Sequence, residues 1–123
     1  MNQLKFSTNW NNKLHCNVFS TIRLNSSKYN VGEQFEVLLQ HKEGSILIGK
    51  TKYKSLGTAT VLQHSTVQVC KLPNGLCLLD TGYNANETKS IILKMYQNIK
   101  GFGLQSLLSV AILKFNHPKT SNL

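Results

Sequence analysis

The amino-acid sequence predicts a small α+β fold that is mostly β-strand, in the form of a β-barrel with one or two helices at its rim. Several short segments alternate apolar and polar residues, which is typical of half-buried strands. One segment after Asn84 instead repeats its apolar residues every three or four positions, which indicates a helix. The 123 residues, of which 41% are hydrophobic, suffice for one core, so we expect a single domain.

The strands are predicted where apolar alternation lies between turn-forming residues. The segments that meet this condition are 4–7, 17–24, Gln34–Gln40, 45–49, 55–63, 66–72 and 104–115. The pattern is clearest in the third segment, because Phe35, Val37 and Leu39 fall on one face. We therefore expect that face to lie against the core.

The one clear helix is predicted to begin after Asn84. Asn84 can cap the first turn, and Glu87 stands where the carboxylate of a capping box bonds back to the cap. Its apolar stripe consists of Ile91, Ile92, Met95, Tyr96 and Ile99. Gly101 is predicted to end the helix. We expect the folded core to cover about 4–116 and the polar tail, 117–123, to be flexible.

The cysteine pattern and the apolar runs bear on compartment and redox state. The three cysteines, Cys16, Cys70 and Cys77, form no Cys-x-x-Cys pair, which favours a reduced cytoplasmic protein. The segment Pro73-Asn74-Gly75 is predicted to form a turn across which Cys70 and Cys77 can face each other. No apolar run of about eighteen residues exists, so no membrane span is expected. The isolated histidines match no metal-ligand spacing, and neither a metal nor a cofactor is expected.

The charge balance favours a polyanionic partner. Fourteen Lys and Arg residues stand against five Asp and Glu, which gives a net charge of +9 and a pI near 9.7. Such an excess favours nucleic acid first and an anionic membrane surface second. The alternative is a solvated basic surface without a ligand. Arg23 is the one arginine, and lysines suit loose attraction to a phosphate backbone better than readout of base edges.

A candidate ligand site centres on Thr21 and Arg23. The two residues are two positions apart on a predicted strand, so their side chains share a face. A hydroxyl beside a guanidinium can bind a phosphate or a nucleobase edge. The alternative is that Arg23 pairs with Glu33, Glu36 or Asp80 and only stabilises the barrel. Asp80 is a candidate to accept a base N–H or to act as a weak general base, and its alternative is a turn residue.

A second group of residues is a candidate surface for binding nucleic acid. Lys50, Lys52 and Lys54 alternate, so they share one face of a strand or extended loop, with Tyr53 adjacent. Such an arrangement can follow a phosphate backbone. The alternative is a solvated edge whose lysines resist aggregation between sheets. Trp10, set among asparagines, is a candidate stacking surface for a base.

Five short motifs, taken in order, resemble the ASCH domain family of the PUA-like superfamily. They are Thr21-Ile22-Arg23, Tyr29-x-Val31-Gly32-Glu33, Gly57-Thr58-Ala59, Leu79-Asp80-Thr81-Gly82-Tyr83 and Met95-Tyr96. The resemblance covers roughly Leu14 to Phe115, and it implies a small PUA-like β-barrel with a cleft that binds RNA. It counts Tyr29 among the ligand-binding residues with Thr21, Arg23 and Asp80.

The same resemblance bears on catalysis. Some bacterial members of the family hydrolyse acetylcytidine with a Lys, a Thr and a Glu. The threonine matches Thr21, but Val18 stands at the position of the lysine, and no Glu is present near Asp80 or Thr81. A binding module is therefore predicted rather than an enzyme.

Three functional hypotheses follow. The first is an RNA-binding or nucleotide-binding module, a monomer or weak dimer without membrane contact. The second is a small amidohydrolase acting on a modified nucleoside such as acetylcytidine, with Thr21 and Asp80 as its catalytic residues. The third is a protein-interaction domain with incidental charge.

Overall fold

The computed structural model describes residues 1–117, which form one mixed sheet of six strands, two α-helices and two 3-10 turns. The strands are β1 (Asn2–Phe6), β2 (Val18–Leu24), β3 (Gln34–Gln40), β4 (Ile46–Ile48), β5 (Thr51–Gln68) and β6 (Leu107–Phe115). The helices are α1 (Asn74–Thr81) and α2 (Ala85–Met95), and the 3-10 turns are Trp10–His15, here called the Trp10 turn, and Val69–Lys71. The predicted class, α+β and mostly strand, is confirmed.

The sheet is curled but open. Its strand order is β1-β3-β5-β6-β2, with β4 paired to β5, and all pairings are antiparallel except that of β1 with β3. The two edge strands approach each other across the core, where the Phe6 and Phe19 rings meet edge to face at 6.2 Å. Within residues 1–117 no backbone pairing joins β1 to β2. The predicted closure into a barrel is therefore not confirmed.

The buried apolar side chains form two clusters. The larger lies inside the curled sheet and includes Leu4, Phe6, Phe19, Tyr29, Phe35, Val37, Val61, Leu113 and Phe115. The smaller joins the end of β5 and β6 to the two helices and consists of Val69, Leu72, Cys77, Ile92 and Leu108, with partly buried neighbours such as Ile22 and Tyr96. The side chains of Phe6, Ile22 and Tyr96 also line a cleft, which lies where the two clusters meet.

Strand β5 is one continuous strand of 18 residues, where the sequence predicts two segments. Its register against β3 slips between Val37 and Leu38, so that Leu56 on β5 has no direct partner. Gly57 sits at this bulge with φ +107°, a conformation that side chains with a Cβ rarely adopt. The bulge keeps the pairing intact while reversing the side-chain alternation of β5 beyond it.

Helix α1 replaces the predicted turn at Pro73-Asn74-Gly75. Pro73 is the residue before the first helical position, where its missing N–H costs no hydrogen bond because that N–H is unpaired in any helix. Cys77 is buried in α1, so it does not face Cys70 across a hairpin, and all three cysteines are free. The predicted hairpin is wrong because Pro and Gly also occur in the first turn of a helix.

Helix α2 begins as predicted. The Asn84 side chain accepts from the Glu87 N–H at 2.9 Å, and the Glu87 carboxylate accepts from the Asn84 N–H at 3.3 Å, which completes a capping box. The helix ends at Met95, earlier than the predicted stop at Gly101.

The tail predicted to be flexible, 117–123, lies outside the described residues apart from His117. None of the helices in the described part of the chain has the length and apolar character needed to cross a membrane.

Candidate functional site: a cleft at Arg23

The cleft opens between the edges of β1 and β2, and α1 and α2 form its far wall. Its cavity volume is about 100 Å³. The side chains that line it include Lys5, Phe6, Trp10, Lys13, Arg23 and Tyr96. Apolar side chains of α2, Ile91 and Met95 among them, complete the wall. The cleft therefore joins a cationic floor to apolar and aromatic sides.

Arg23 lies half-buried on β2 and presents its guanidinium to this cleft. Its Nε donates a 2.9 Å hydrogen bond to Thr21 Oγ1, and the guanidinium carbon lies 4.5 Å from the centre of the Phe6 ring. No carboxylate of residues 1–117 lies within 4 Å of it, so the predicted alternative of pairing with Glu33, Glu36 or Asp80 is wrong. The guanidinium is thus oriented by a hydroxyl and a ring, without neutralisation by an acid.

The two terminal nitrogens of Arg23 are open to the cleft. Neither has a hydrogen-bond acceptor among the described residues. Every buried side-chain nitrogen and oxygen in that part of the chain has a partner, so these two nitrogens are reached by solvent. Burial lowers the pKa of Arg23, and the nearby Tyr29, Tyr96 and Asp80 act in the opposite direction. An arginine keeps its charge at neutral pH under such conditions, which leaves a cationic fork facing the cavity.

Thr21 supports this fork. It shares a face with Arg23, as two residues i and i+2 on a strand do, but its side chain is only 2% exposed. Its hydroxyl accepts the Nε–H of Arg23 and so holds the guanidinium in place. The predicted direct contact of this hydroxyl with a ligand stays a prediction, since Thr21 lies at the base of the cleft.

Lys13 and Asp80 form a buried ion pair in the wall of the cleft. Lys13 Nζ lies 2.9 Å from Asp80 Oδ1, and the Ser20 hydroxyl donates to the same oxygen at 2.8 Å. The two residues are 6% and 4% exposed. Burial lowers the pKa of Lys13 and the charge of Arg23 adds to this, while the Asp80 carboxylate opposes it. Asp80 lies in α1, so the predicted alternative of a turn residue is wrong.

Sequence reasoning missed Lys13 because its partner lies 67 residues away. The Trp10 turn carries it into the cleft with Asn11 and Asn12 in the left-handed conformation, φ 54° at both, which asparagine tolerates better than most residues. The Asn11 amide donates to the carbonyl oxygens of Leu78 and Leu79, each at 3.2 Å. The run of asparagines is the one local signal, since it marks a turn that needs this conformation.

The structure separates two further predicted residues. Trp10 lines the cleft, and its ring meets that of Tyr83 edge to face at 6.3 Å. Tyr29 is instead 3% exposed and stacks on Phe35 in the large core cluster, with ring centres 5.4 Å apart. Trp10 is therefore placed where it can contact a ligand of the cleft. Tyr29 is a core residue and does not line the cleft.

The lysines of the second predicted surface lie outside the cleft. Lys50 is in the turn between β4 and β5, and Lys52 and Lys54 are exposed on β5. Tyr53 is half-buried, and its place between them on the strand points it to the opposite face. The structure thus groups the lysines and sets Tyr53 apart from them.

The cleft carries no donor set for a metal ion. Across residues 1–117 no three His, Cys, Asp or Glu side chains come close enough to hold one. Comparison of the chain with protein-family models, with curated proteins and with solved structures found no match. What the cleft offers chemically is therefore an open guanidinium, a buried lysine–carboxylate pair and aromatic walls.

Proposed function

We propose that the protein is an RNA-binding or nucleotide-binding module of the PUA-like, ASCH type, and that its cleft holds an anionic or hydrogen-bond-accepting group on Arg23. One observation carries this proposal: a guanidinium without a carboxylate partner opens into a cavity. A planar fork of this kind matches the oxygens of a phosphate, or the acceptor edge of a base, with two parallel hydrogen bonds. The ordered motifs of the ASCH resemblance support the same assignment.

The walls of the cleft suit a nucleobase. Trp10 and Tyr96 line it on the sides, and aromatic rings stack on unpaired bases of any sequence. The volume of about 100 Å³ admits one small group and not a length of polymer. We therefore assign the cleft to a single base, with its sugar, its phosphate and the rest of the strand lying on the protein surface.

The test is binding of single-stranded RNA by the wild type, Arg23→Lys and Arg23→Gln over a series of salt concentrations. The wild type should weaken steeply with salt because phosphate contacts release counterions. Loss of the guanidinium in Arg23→Gln should weaken binding about tenfold, because a hydrogen bond to a charged group is removed. Arg23→Lys should recover only part of this loss, since lysine keeps the charge without the fork.

Lys94→Gln is the matched control for this experiment. It removes the same charge from the exposed surface of α2 and does not touch the cleft. Circular dichroism of each variant establishes that the fold is retained. Binding by the wild type that is insensitive to salt, or an Arg23→Gln variant no weaker than Lys94→Gln, contradicts the proposal.

A second candidate function is hydrolysis of a modified nucleoside. The cleft holds a lysine, a threonine and a carboxylate together, the residue types used by the hydrolytic members of the resembling family. Here Lys13 supplies the amine that Val18 cannot, and Asp80 supplies the carboxylate. Lys13 and Asp80 are paired with each other at 2.9 Å, so neither is free to act as a base. The Thr21 hydroxyl already accepts a hydrogen bond from Arg23. Binding therefore remains the preferred function.

Incubation with acetylcytidine tests this second candidate. Hydrolysis of its amide bond by water yields cytidine and acetate, which chromatography resolves. Release by the wild type that is lost in Thr21→Val, while circular dichroism shows the fold of that variant retained, supports hydrolysis, and no release rejects it. A pulldown that recovers protein partners but no RNA above a charge-matched control favours the third hypothesis, an interaction domain.

A further inference from the structure

The bulge in β5 places Lys52 and Lys54 on the face of the sheet that carries the core. In an antiparallel pair, residues directly opposite each other share a face, and Lys54 is opposite Leu39, which packs against the large cluster. Lys52, two residues away, lies on the same face. Strict alternation from Ala59 would have put Ser55 there and both lysines on the back of the sheet.

The strand register brings these lysines close to the cleft. Leu39 is opposite Lys54 on one side and Phe6 on the other, and Phe6 lines the cleft beneath Arg23. Two strand spacings therefore separate the Phe6 and Lys54 backbones, about 10 Å. Lys52 lies two residues away along β5, where its carbonyl accepts the His41 N–H at 3.0 Å beyond the end of β1.

The lysines near the cleft are exposed and have no carboxylate partner among the described residues. Lys52 and Lys54 are exposed, and Lys5, whose place opposite Leu38 sets it on the other face of β1, also lines the cleft. Glu43 lies in the neighbouring loop, but the sole ion pair among residues 1–117 is that of Lys13 with Asp80. Two exposed lysines thus lie on the face of the sheet that carries the core, near the cleft, and no carboxylate of the described residues lies within 4 Å of Lys5, Lys52, Lys54 or Arg23.

From this arrangement we infer that the lysines of β5 and the cleft form one continuous site for a single strand of RNA, an inference that rests on the proposed function. The base of one nucleotide occupies the cleft on Arg23, and the phosphates of the neighbouring nucleotides lie on Lys54 and Lys52. The strand is expected to be unpaired where it enters, because a paired base would have to break its pairing and stacking before it could reach the cavity. The lysines act on the phosphates, so they contribute affinity without base preference.

A length series tests the inference. Binding of a mononucleotide, a dinucleotide, a tetranucleotide and an octanucleotide is measured for the wild type and for Lys52→Gln/Lys54→Gln. Wild-type affinity should rise up to about four nucleotides, the lower end of site sizes on comparable folds, and then level off. The double variant should bind the mononucleotide like the wild type but lose the gain with length.

The salt dependence gives a second readout. Two phosphate contacts on a single strand contribute about 1.4 to the slope of log affinity against log salt, so the double variant should lower the slope by about that amount. Lys94→Gln/Lys100→Gln removes the same charge from exposed positions on and after α2 and serves as the matched control. Its slope and its length dependence should stay close to those of the wild type.

The outcomes separate this inference from the proposed function. If the mononucleotide binds through Arg23 but affinity does not rise with length, the continuous site is wrong and the cleft assignment stands. An equal effect of the two double variants likewise overturns the path, because it shows that only net charge matters. Absence of binding at every length overturns both. A duplex with blunt ends that binds as well as the single strand also contradicts the inference.

Discussion

At the scale of single residues, the buried ion pair of Lys13 and Asp80 fixes the contact between the Trp10 turn and α1. A buried ion pair gains attraction but loses hydration, and the two terms nearly cancel when the remaining hydrogen bonds are made. Here Ser20 supplies one of those bonds, and Lys13 lies 5.3 Å from the centre of the Phe6 ring. The pair therefore fixes where the Trp10 turn meets α1, while its net effect on stability is small.

Removing one partner of this pair should cost far more than removing both. We expect Lys13→Met or Asp80→Leu alone to lower the free energy of unfolding by about 3–5 kcal/mol, because the other group stays buried without its partner. The double variant Lys13→Met/Asp80→Leu should recover most of that loss. Urea unfolding of the four proteins measures the cycle, and simple additivity of the two single changes contradicts the prediction.

The pH dependence of stability should report the same lysine. Burial lowers the folded-state pKa of Lys13 below its ordinary value of 10.5, so the buried charge costs stability at any pH below that lowered pKa. As pH rises through the lowered pKa, the folded state releases its proton before the unfolded chain does, and the cost falls. The wild type should thus gain stability relative to Lys13→Met/Asp80→Leu as pH rises from neutral towards 10.5, the ordinary pKa of lysine. Unfolding curves whose difference stays constant over this interval contradict the prediction.

At the scale of elements, the junction between the Trp10 turn and α1 positions the ion pair. Helix α1 ends at Gly82, whose φ of +82° belongs to the left-handed region. A Cβ at Gly82 would lie 3.3 Å from Asn11 Oδ1, the side chain that bonds the last carbonyls of the helix. The conformation at this helix end therefore requires glycine, and a methyl group would also crowd the Asn11 side chain.

Gly82→Ala and Gly75→Ala should accordingly have opposite effects. Gly82→Ala should destabilise the protein by about 1 kcal/mol or more, because alanine is strained at this φ. Gly75 lies in α1, and a methyl group added there would meet no other atom of the described residues within 4 Å, so Gly75→Ala should stabilise by about 0.4–1 kcal/mol. Thermal unfolding measures the midpoint temperature of each variant relative to the wild type. Midpoints that move in the same direction in both variants contradict this account.

Local signals explain which elements are predictable. Strand β3 has the predicted bounds because Phe35, Val37 and Leu39 alternate without a bulge, and α2 begins where its capping box predicts. The bulge at Gly57 is not predictable from alternation, because an extra residue is visible only against the partner strand. The sequence predicts a turn in place of α1 because Pro and Gly are common both in turns and in the first turn of a helix.

At the scale of the whole molecule, charge governs association. With a net charge of +9 and one ion pair within residues 1–117, copies of the protein repel each other at low ionic strength. Several apolar side chains are nevertheless exposed, Leu79 on α1 at 73% among them. Repulsion between copies and apolar contact between them therefore act in opposite directions, and salt weakens only the first.

We expect a monomer at low salt and at most a weak dimer at high salt. Screening shortens the range of the repulsion to about 10 Å at 0.1 M salt and further above it, which lets apolar contact act. Sedimentation velocity at low and high salt measures the association state directly. A dimer that forms at low salt and dissociates as salt is added contradicts the prediction, since it requires ion pairs between copies.

The amino-acid sequence by itself determined the class of the fold, most strand positions, the start of α2 and the excess of positive charge, because each depends on residues close together in the chain. It also singled out Thr21 and Arg23, whose spacing alone places them on one face. Only the tertiary structure decided that Lys13 meets Asp80, that Arg23 has no acid of the described residues beside it, and which face of β5 carries Lys52 and Lys54. Those features depend on strand register and on contacts between distant residues, which no local pattern of side chains specifies.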